Sequence, residues 1–256
     1  MELVALSGEI VVLLFLAGLL AGLVDSVAGG GGLVALPALL FIGLPPQLAL
    51  GTLKLQGSFG TLSAAWNYLG KKQASVQKSL PGILFTLVGA TAGSCLIQLL
   101  DPAFLKPVIP FMLLAVFIFT LFSKNLGRTD SRAMMDRKPF YMVFGTSLGF
   151  YDGFFGPGTG SFWTVALMSL RGCNMTKATA YTKIMNFTSN IVALSWFIVG
   201  GNVIWTIGLV MAAGQLIGAR IGSNMAITKG IRFIRPFFLT VIFVTISRLM
   251  YTNFNQ

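Results

Sequence analysis

Gly149–Gly160 reads GFYDGFFGPGTG. It interrupts an apolar run with an acid (Asp152), a tyrosine (Tyr151), a proline and four glycines after the acid. Glycine is permissive in backbone angle and Pro157 has no N–H to donate, so no regular helix continues through it. Nearer the N-terminus, Gly22–Gly32 reads GLVDSVAGGGG. Asp25 precedes Asp152 by 127 positions, and Gly22, Gly29 and Gly31 precede Gly149, Gly156 and Gly158 by the same interval. Past the break the interval becomes 129: Ala49 matches Ala178, Lys54 matches Lys183, and Gly89 and Gly93 match Gly218 and Gly222. Two acid-plus-glycine breaks in two matching halves predict an internally duplicated membrane transporter.

The surrounding composition agrees. The chain has 256 residues, 55% of them hydrophobic and 10% charged, with mean hydropathy +0.82. Soluble domains carry about 25% charged residues, so the expected fold is an all-α, polytopic helical bundle in the bilayer. The net charge of +11 resides in short loops, the footprint of membrane topology and not of nucleic-acid binding. There is no histidine, and the two cysteines, Cys95 and Cys173, stand far apart. Neither a metal site nor a disulfide framework is indicated, and no cofactor is expected. Glu2 and Glu9 without a basic n-region make the N-terminus read as the start of a first span, not a cleaved leader.

In chain order, Leu6–Val27 is long enough to span. The glycine run follows, then Leu33–Ile42, a half-length element. Gln47–Leu69, Leu80–Leu100 and Phe104–Phe122 are full spans. Ser123–Lys138 is the most polar segment. Phe140–Phe154, the second break, and the half-length Ser161–Leu170 repeat the opening pattern. Met175–Val199, Val203–Met225 and Pro236–Tyr251 complete it. The expected organisation is one membrane domain: repeat 1 over residues 1–123, a basic cytoplasmic linker over 124–138, and repeat 2 over 139–256, with about eight full spans and two half-helices.

Basic residues gather at 71–78, 124–138, 171–177 and 229–235, while the turns at 43–47, 101–103 and 200–202 carry almost none. Five segments per half put every basic cluster on the cytoplasmic side. Re-entrant half-helices leave three crossings per half. Both counts are odd, so the halves are expected to be inverted. A single broken span per half would place two of the clusters outside.

Of seven acids, only Asp25 and Asp152 lie inside apolar segments. A charge at the bilayer centre costs roughly 2.5–3.5 kcal/mol or more, so each needs a partner, a proton or a function. They are read as proton carriers or as caps on the freed backbone, roles that are compatible. Lys54 and Lys183 are the matching buried cations. Helical spacing places Lys54, Ser58 and Thr61 on one stripe, with Thr52 nearby, and Lys183, Asn186 and Asn190 on another, begun by Thr182. They are candidates for an anion-binding pair, with lysines paired to Asp25 and Asp152 purely for structure as the alternative. The half-helices would aim their N-termini inward at Gly31, Gly32, Thr159 and Gly160, offering amides and positive dipole ends to an anion. Helix breaking for close packing alone is the plainer reading of the same glycines. Tyr151 and Trp163 flank the second break and are the aromatic candidates.

The repeated GLVDSVAGGGGLVALPALLFIGLPPQLALGT and GFYDGFFGPGTGSF…A-x4-K-x2-N pattern resembles the TauE/SafE family, the sulfite and organosulfonate exporters, in its YfcA-like branch. The resemblance implies a bacterial inner-membrane permease of about eight spans that moves a small sulfur-containing anion. Combined with the residues, it gives an expectation of alternating access between inverted repeats. The anion would lie between Lys54 and Lys183, with Asp25 and Asp152 holding the breaks or carrying a proton. Expected partners are the small anion and the lipid bilayer, with no nucleic acid; a homodimer is left open. A cation carrier using Asp25 and Asp152 is the rival. A membrane enzyme is disfavoured because no nucleophile–base set is present.

Overall fold

The computed structural model describes residues 7–122 and 129–229, and every regular element in them is helical. The order is α1 (Gly8–Ala28), α2 (Gly32–Phe41), α3 (Pro46–Gly70), α4 (Val76–Leu99), α5 (Pro102–Phe122), α6 (Arg137–Phe140), a π-turn (Tyr141–Gly145), α7 (Thr146–Phe154), α8 (Thr159–Arg171), α9 (Met175–Val199) and α10 (Trp205–Lys229). The expected span Pro236–Tyr251, Arg232, Arg235 and linker residues 124–128 lie outside the described residues.

Both breaks fall where the glycines are. Gly29, at φ 74°, ends α1, and its N–H bonds the Asp25 carbonyl. Gly156 and Gly158, at φ 101° and 81°, turn the chain between α7 and α8. At 1.5 Å per residue the ten-residue α2 and thirteen-residue α8 are about 15 and 20 Å long, too short to cross a hydrocarbon core of about 30 Å. Several long helices begin or end outside the expected apolar limits. α4 starts at Val76, so Lys78 lies on the helix, and α10 runs on to Lys229. Lys78 extends the helix while its exposed amine stays in water.

Among the described residues, Gly8–Val27, Val76–Leu99 and Pro102–Phe119 are long and apolar enough to cross a membrane. The 25-residue helices α3, α9 and α10 are long enough but more polar. Their polar side chains point inward: Lys54, Gln56, Asn67, Lys183, Asn186, Ser189 and Gln215 are all buried, while Val12, Leu84, Val88, Leu99 and Phe111 face out. A bundle in lipid has this arrangement, with its polar groups satisfied by neighbouring helices.

α1 packs along α10, α4 along α7, and α3 against α9 at the centre. Gly89 and Gly93 of α4 press on the carbonyls of Thr146 and Phe150, and Gly218 and Gly222 of α10 press on those of Leu19 and Leu23. Small residues at this spacing let helix backbones touch without side chains between them. Leu19 and Leu23 precede Thr146 and Phe150 by 127 positions, so one helix contact occurs twice at the intervals of the sequence match.

Candidate functional site: a cavity between two crossed breaks

The two breaks meet backbone to backbone. A β-carbon on Gly29 would run into the main chain of Gly160, and one on Gly160 into Gly29. A β-carbon on Gly32 would stand 2.9 Å from Cα of Pro157. Glycine is required at the crossing, and at Gly29 also for its left-handed φ.

Beside this crossing lies a cavity of about 40 Å3. Lys54, Gln56, Gly57 and Thr61 of α3 line one side, and Asn186 and Asn190 of α9 with Gln215 of α10 line another. The breaks contribute Asp25, Gly32, Asp152, Gly156 and Gly160. The space holds no more than a few waters.

Each lysine binds the acid of the other half. Lys54 Nζ lies 2.7 Å from Asp152 Oδ1 and also donates to the Asp152 main-chain carbonyl. Ser189 Oγ donates to Asp152 Oδ2. Lys183 Nζ lies 2.9 Å from Asp25 Oδ2, and the Gly31 N–H, 3.4 Å from Asp25 Oδ1, ties the acid across its own break. The lysine side chains are 2% and 0% exposed, those of Asp152 and Asp25 4% and 11%. Two ammonium groups and two carboxylates sum to zero, as burial demands: an unmatched buried charge is far costlier than a matched one.

The pairs are not equivalent toward the cavity. Lys54, Asp152 and Asp25 line it, whereas Lys183 stands behind Asp25. Of the other expected residues, Thr61, Asn186, Asn190, Gly32 and Gly160 line it. The rest serve the frame. Ser58 bonds the Lys54 carbonyl (2.8 Å), just as the lining Thr61 spends its own hydroxyl on that of Gly57 (2.7 Å). Thr52 accepts from the Ile204 N–H at the α9–α10 turn. The Thr182 hydroxyl meets that of Thr164 at 3.2 Å, joining α9 to α8. Thr159 Oγ1 closes the second break on Gly156 O (2.6 Å), and Tyr151 Oη braces it on Pro157 O (2.8 Å). Trp163 is fully buried against Phe140 and Tyr141, away from the cavity. First-turn amides of the half-helices are also partly spent: Leu33 and Val34 bond Gly30 and Gly31, and Ser161 and Phe162 bond Gly158.

Three cavity side chains carry buried amide oxygens with no partner among the described residues: Gln56 Oε1, Asn186 Oδ1 and Gln215 Oε1. Buried polar atoms are seldom left so, and carboxamides unmet at a cavity are equipped to bind a polar guest. Gln56, Gln215 and Ser189 were not singled out in the sequence. The available signal was a carboxamide inside an apolar span, at Gln56 two positions after Lys54 and at Gln215 within the Gly214–Gly222 run.

The sulfite exporter TauE/SafE family pattern matches residues 14–249. The chain is 40% identical over 243 residues to a "Probable membrane transporter protein" of Haemophilus influenzae, covering 95% of each chain. It is 41% identical over 243 residues to the "Probable membrane transporter protein YfcA" of Escherichia coli (strain K12), covering 95% of this chain and 90% of that one. To the "Probable membrane transporter protein ORF9" of Sinorhizobium sp it is 39% identical over 245 residues, covering 96% and 94%. No solved structure matches it.

Proposed function

The chain belongs to the sulfite exporter TauE/SafE family of membrane transporters, and we propose that it is a secondary carrier of a small oxyanion, sulfite or an organosulfonate. In this reading it works in the bacterial inner membrane, by alternating access, with a proton as co-substrate. It is a transporter and not an enzyme.

The observation that carries the reading is the Lys54–Asp152 pair at the cavity wall. With both residues ionised, the site is neutral and closed on itself. A proton on Asp152 removes the countercharge, and Lys54 then stands unmatched. An oxyanion at Lys54 restores neutrality, hydrogen-bonded by the carboxamides of Gln56, Asn186, Asn190 and Gln215. After the anion leaves, Asp152 gives up its proton and takes Lys54 back. Proton without anion, or anion without proton, leaves a net charge near mid-membrane at roughly 2.5–3.5 kcal/mol, a penalty of about 100-fold on either half-loaded state. That penalty is the coupling. Lys183 holds Asp25 in place, so the first break is fixed while the second exchanges its partner.

The matched helix contacts and exchanged ion pairs support two inverted repeats rocking about the crossed glycines. The cavity of about 40 Å3 must widen to take a sulfonate, which a rocking motion provides. A cation carrier finds less support, because both carboxylates already have ammonium partners.

The test is uptake of sulfite and of a panel of sulfonates by proteoliposomes under an imposed pH gradient. The wild-type protein should accumulate at least one anion faster with the gradient than without, and Lys54→Gln should abolish that flux. A wild-type protein that passes Na⁺ or a divalent metal but none of the anions overturns the reading in favour of cation transport.

A further inference from the structure

A second polar cavity, of about 360 Å3, opens among the loops at the Lys- and Arg-rich end of the bundle. Three connections and the helix ends beside them build it. Lys72 comes from the α3–α4 turn and Lys78 from the first turn of α4, Asp130 from the linker and Arg137 from the start of α6, and Arg171 from the end of α8 and Lys177 from the first turn of α9. Five cations thus face one carboxylate. Asp130 is already engaged by Lys177, and with the Asn174 N–H this bond holds its carboxyl below the ordinary range. Arg171 binds the Met135 carbonyl. Lys72, Lys78 and Arg137 have no carboxylate partner among the described residues.

Orientation in the membrane requires only that basic residues lie in the loops. It does not require them to converge on one hollow. Two details go further. Tyr141, 3% exposed, lines the cavity beside these cations. Lys72 sits at φ 55°, the left-handed position that follows α3, where glycine is the unstrained choice. A cation is kept there against the backbone's preference.

We propose that this cavity is a second anion site, separate from the central one, which binds a tetrahedral oxyanion through Lys72, Lys78, Arg137 and the Tyr141 hydroxyl. Sulfonate, sulfate and the phosphate of a lipid headgroup share the recognised chemistry: several acceptor oxygens on one anionic centre, suited to guanidinium and ammonium donors. α8 and α9 connect the two cavities, since Gly160 and Asn186 line the central one while Arg171 and Lys177 line this one. An anion held here is concentrated at the end of both helices.

Cys173 lines the cavity and reports on it. In detergent-solubilised protein carrying Cys95→Ala, sulfate at constant ionic strength should slow Cys173 alkylation in a saturable way. Lys78→Gln with Arg137→Gln should raise the half-protecting concentration about tenfold or more, two charge-assisted bonds being lost. Lys72→Gly should weaken protection while raising the melting temperature, because it removes a cation and relieves the backbone; this separates binding from folding. Lys54→Gln should leave protection unchanged, so the result stands or falls apart from the transport reading. In nanodiscs, protection by phosphatidylglycerol without sulfate, absent with phosphatidylcholine, assigns the headgroup; sulfate protection equal in both assigns a free anion. Protection that follows ionic strength alone, or that survives the Lys78→Gln, Arg137→Gln and Lys72→Gly changes, overturns the site.

Discussion

Lys54 and Asp152 lie 98 positions apart and meet at 2.7 Å, with neither side chain more than 4% exposed. The pair joins the first half of the chain to the break of the second. In the proposed cycle, stability and exchange at the cavity both depend on it.

Breaking the pair from one side should be costly. Asp152→Asn leaves Lys54 buried and unmatched, and Lys54→Met does the same to Asp152. Each should lower unfolding free energy by roughly 3–5 kcal/mol, and the double change by less than the sum because no stranded charge remains. Denaturation in detergent micelles measures all four proteins. Strict additivity would show that the two residues do not interact.

The two pairs should differ in transport. Asp152→Asn mimics the protonated state, so surviving protein should exchange anions without responding to a pH gradient. Asp25→Asn with Lys183→Gln removes the pair whose lysine stands behind the cavity wall; it should lower stability yet leave gradient-driven flux detectable. Flux assays on the variants decide this. Equal pH dependence in Asp152→Asn and wild type would remove Asp152 from the proton route.

Gly160→Ala should be severe. Its β-carbon meets the Gly29 main chain, and no side-chain rotation relieves a backbone clash. Gly43→Ala is the control: its φ is 85°, but nothing lies within 4 Å of the added carbon. It should cost only about 1 kcal/mol, the left-handed backbone term. Melting temperatures distinguish the two, and similar losses would argue against crossed breaks.

Cys173 offers a test of sidedness. Burial pushes its thiol above the ordinary range, against the opposing pull of Arg171. Alkylation should therefore be slow at neutral pH and accelerate as pH rises past about 8.5, where an unperturbed thiol titrates. An impermeant maleimide should label it in inside-out vesicles and not in intact cells, given Cys95→Ala. The reverse pattern would invert the proposed topology.

The breaks, the half-length helices and the buried lysines were legible in the sequence because each violates the local rule for an apolar span. Gly29, Pro157 and Lys54 are conspicuous in such surroundings. Which acid each lysine meets was not legible: Asp25 and Asp152 are chemically identical, and the choice depends on how α3 and α9 cross the opposing breaks. Hydroxyls misled for a related reason. Thr52 and Thr182 share a helix face or neighbourhood with the lysines, yet a threonine can spend its hydroxyl on nearby backbone or another hydroxyl, and both do so. Helix periodicity places a residue on a face but does not say where its last polar atom will bond.

The exchanged pairing also bears on how the protein is made. The ribosome delivers Asp25 and Lys54 to the lipid long before Lys183 and Asp152 have been synthesised. A first half released on its own is therefore an unfinished object, holding an acid and an amine whose eventual partners belong to the missing portion. Biogenesis must shelter those groups until the later helices arrive, which makes the two halves of this chain obligate companions from birth.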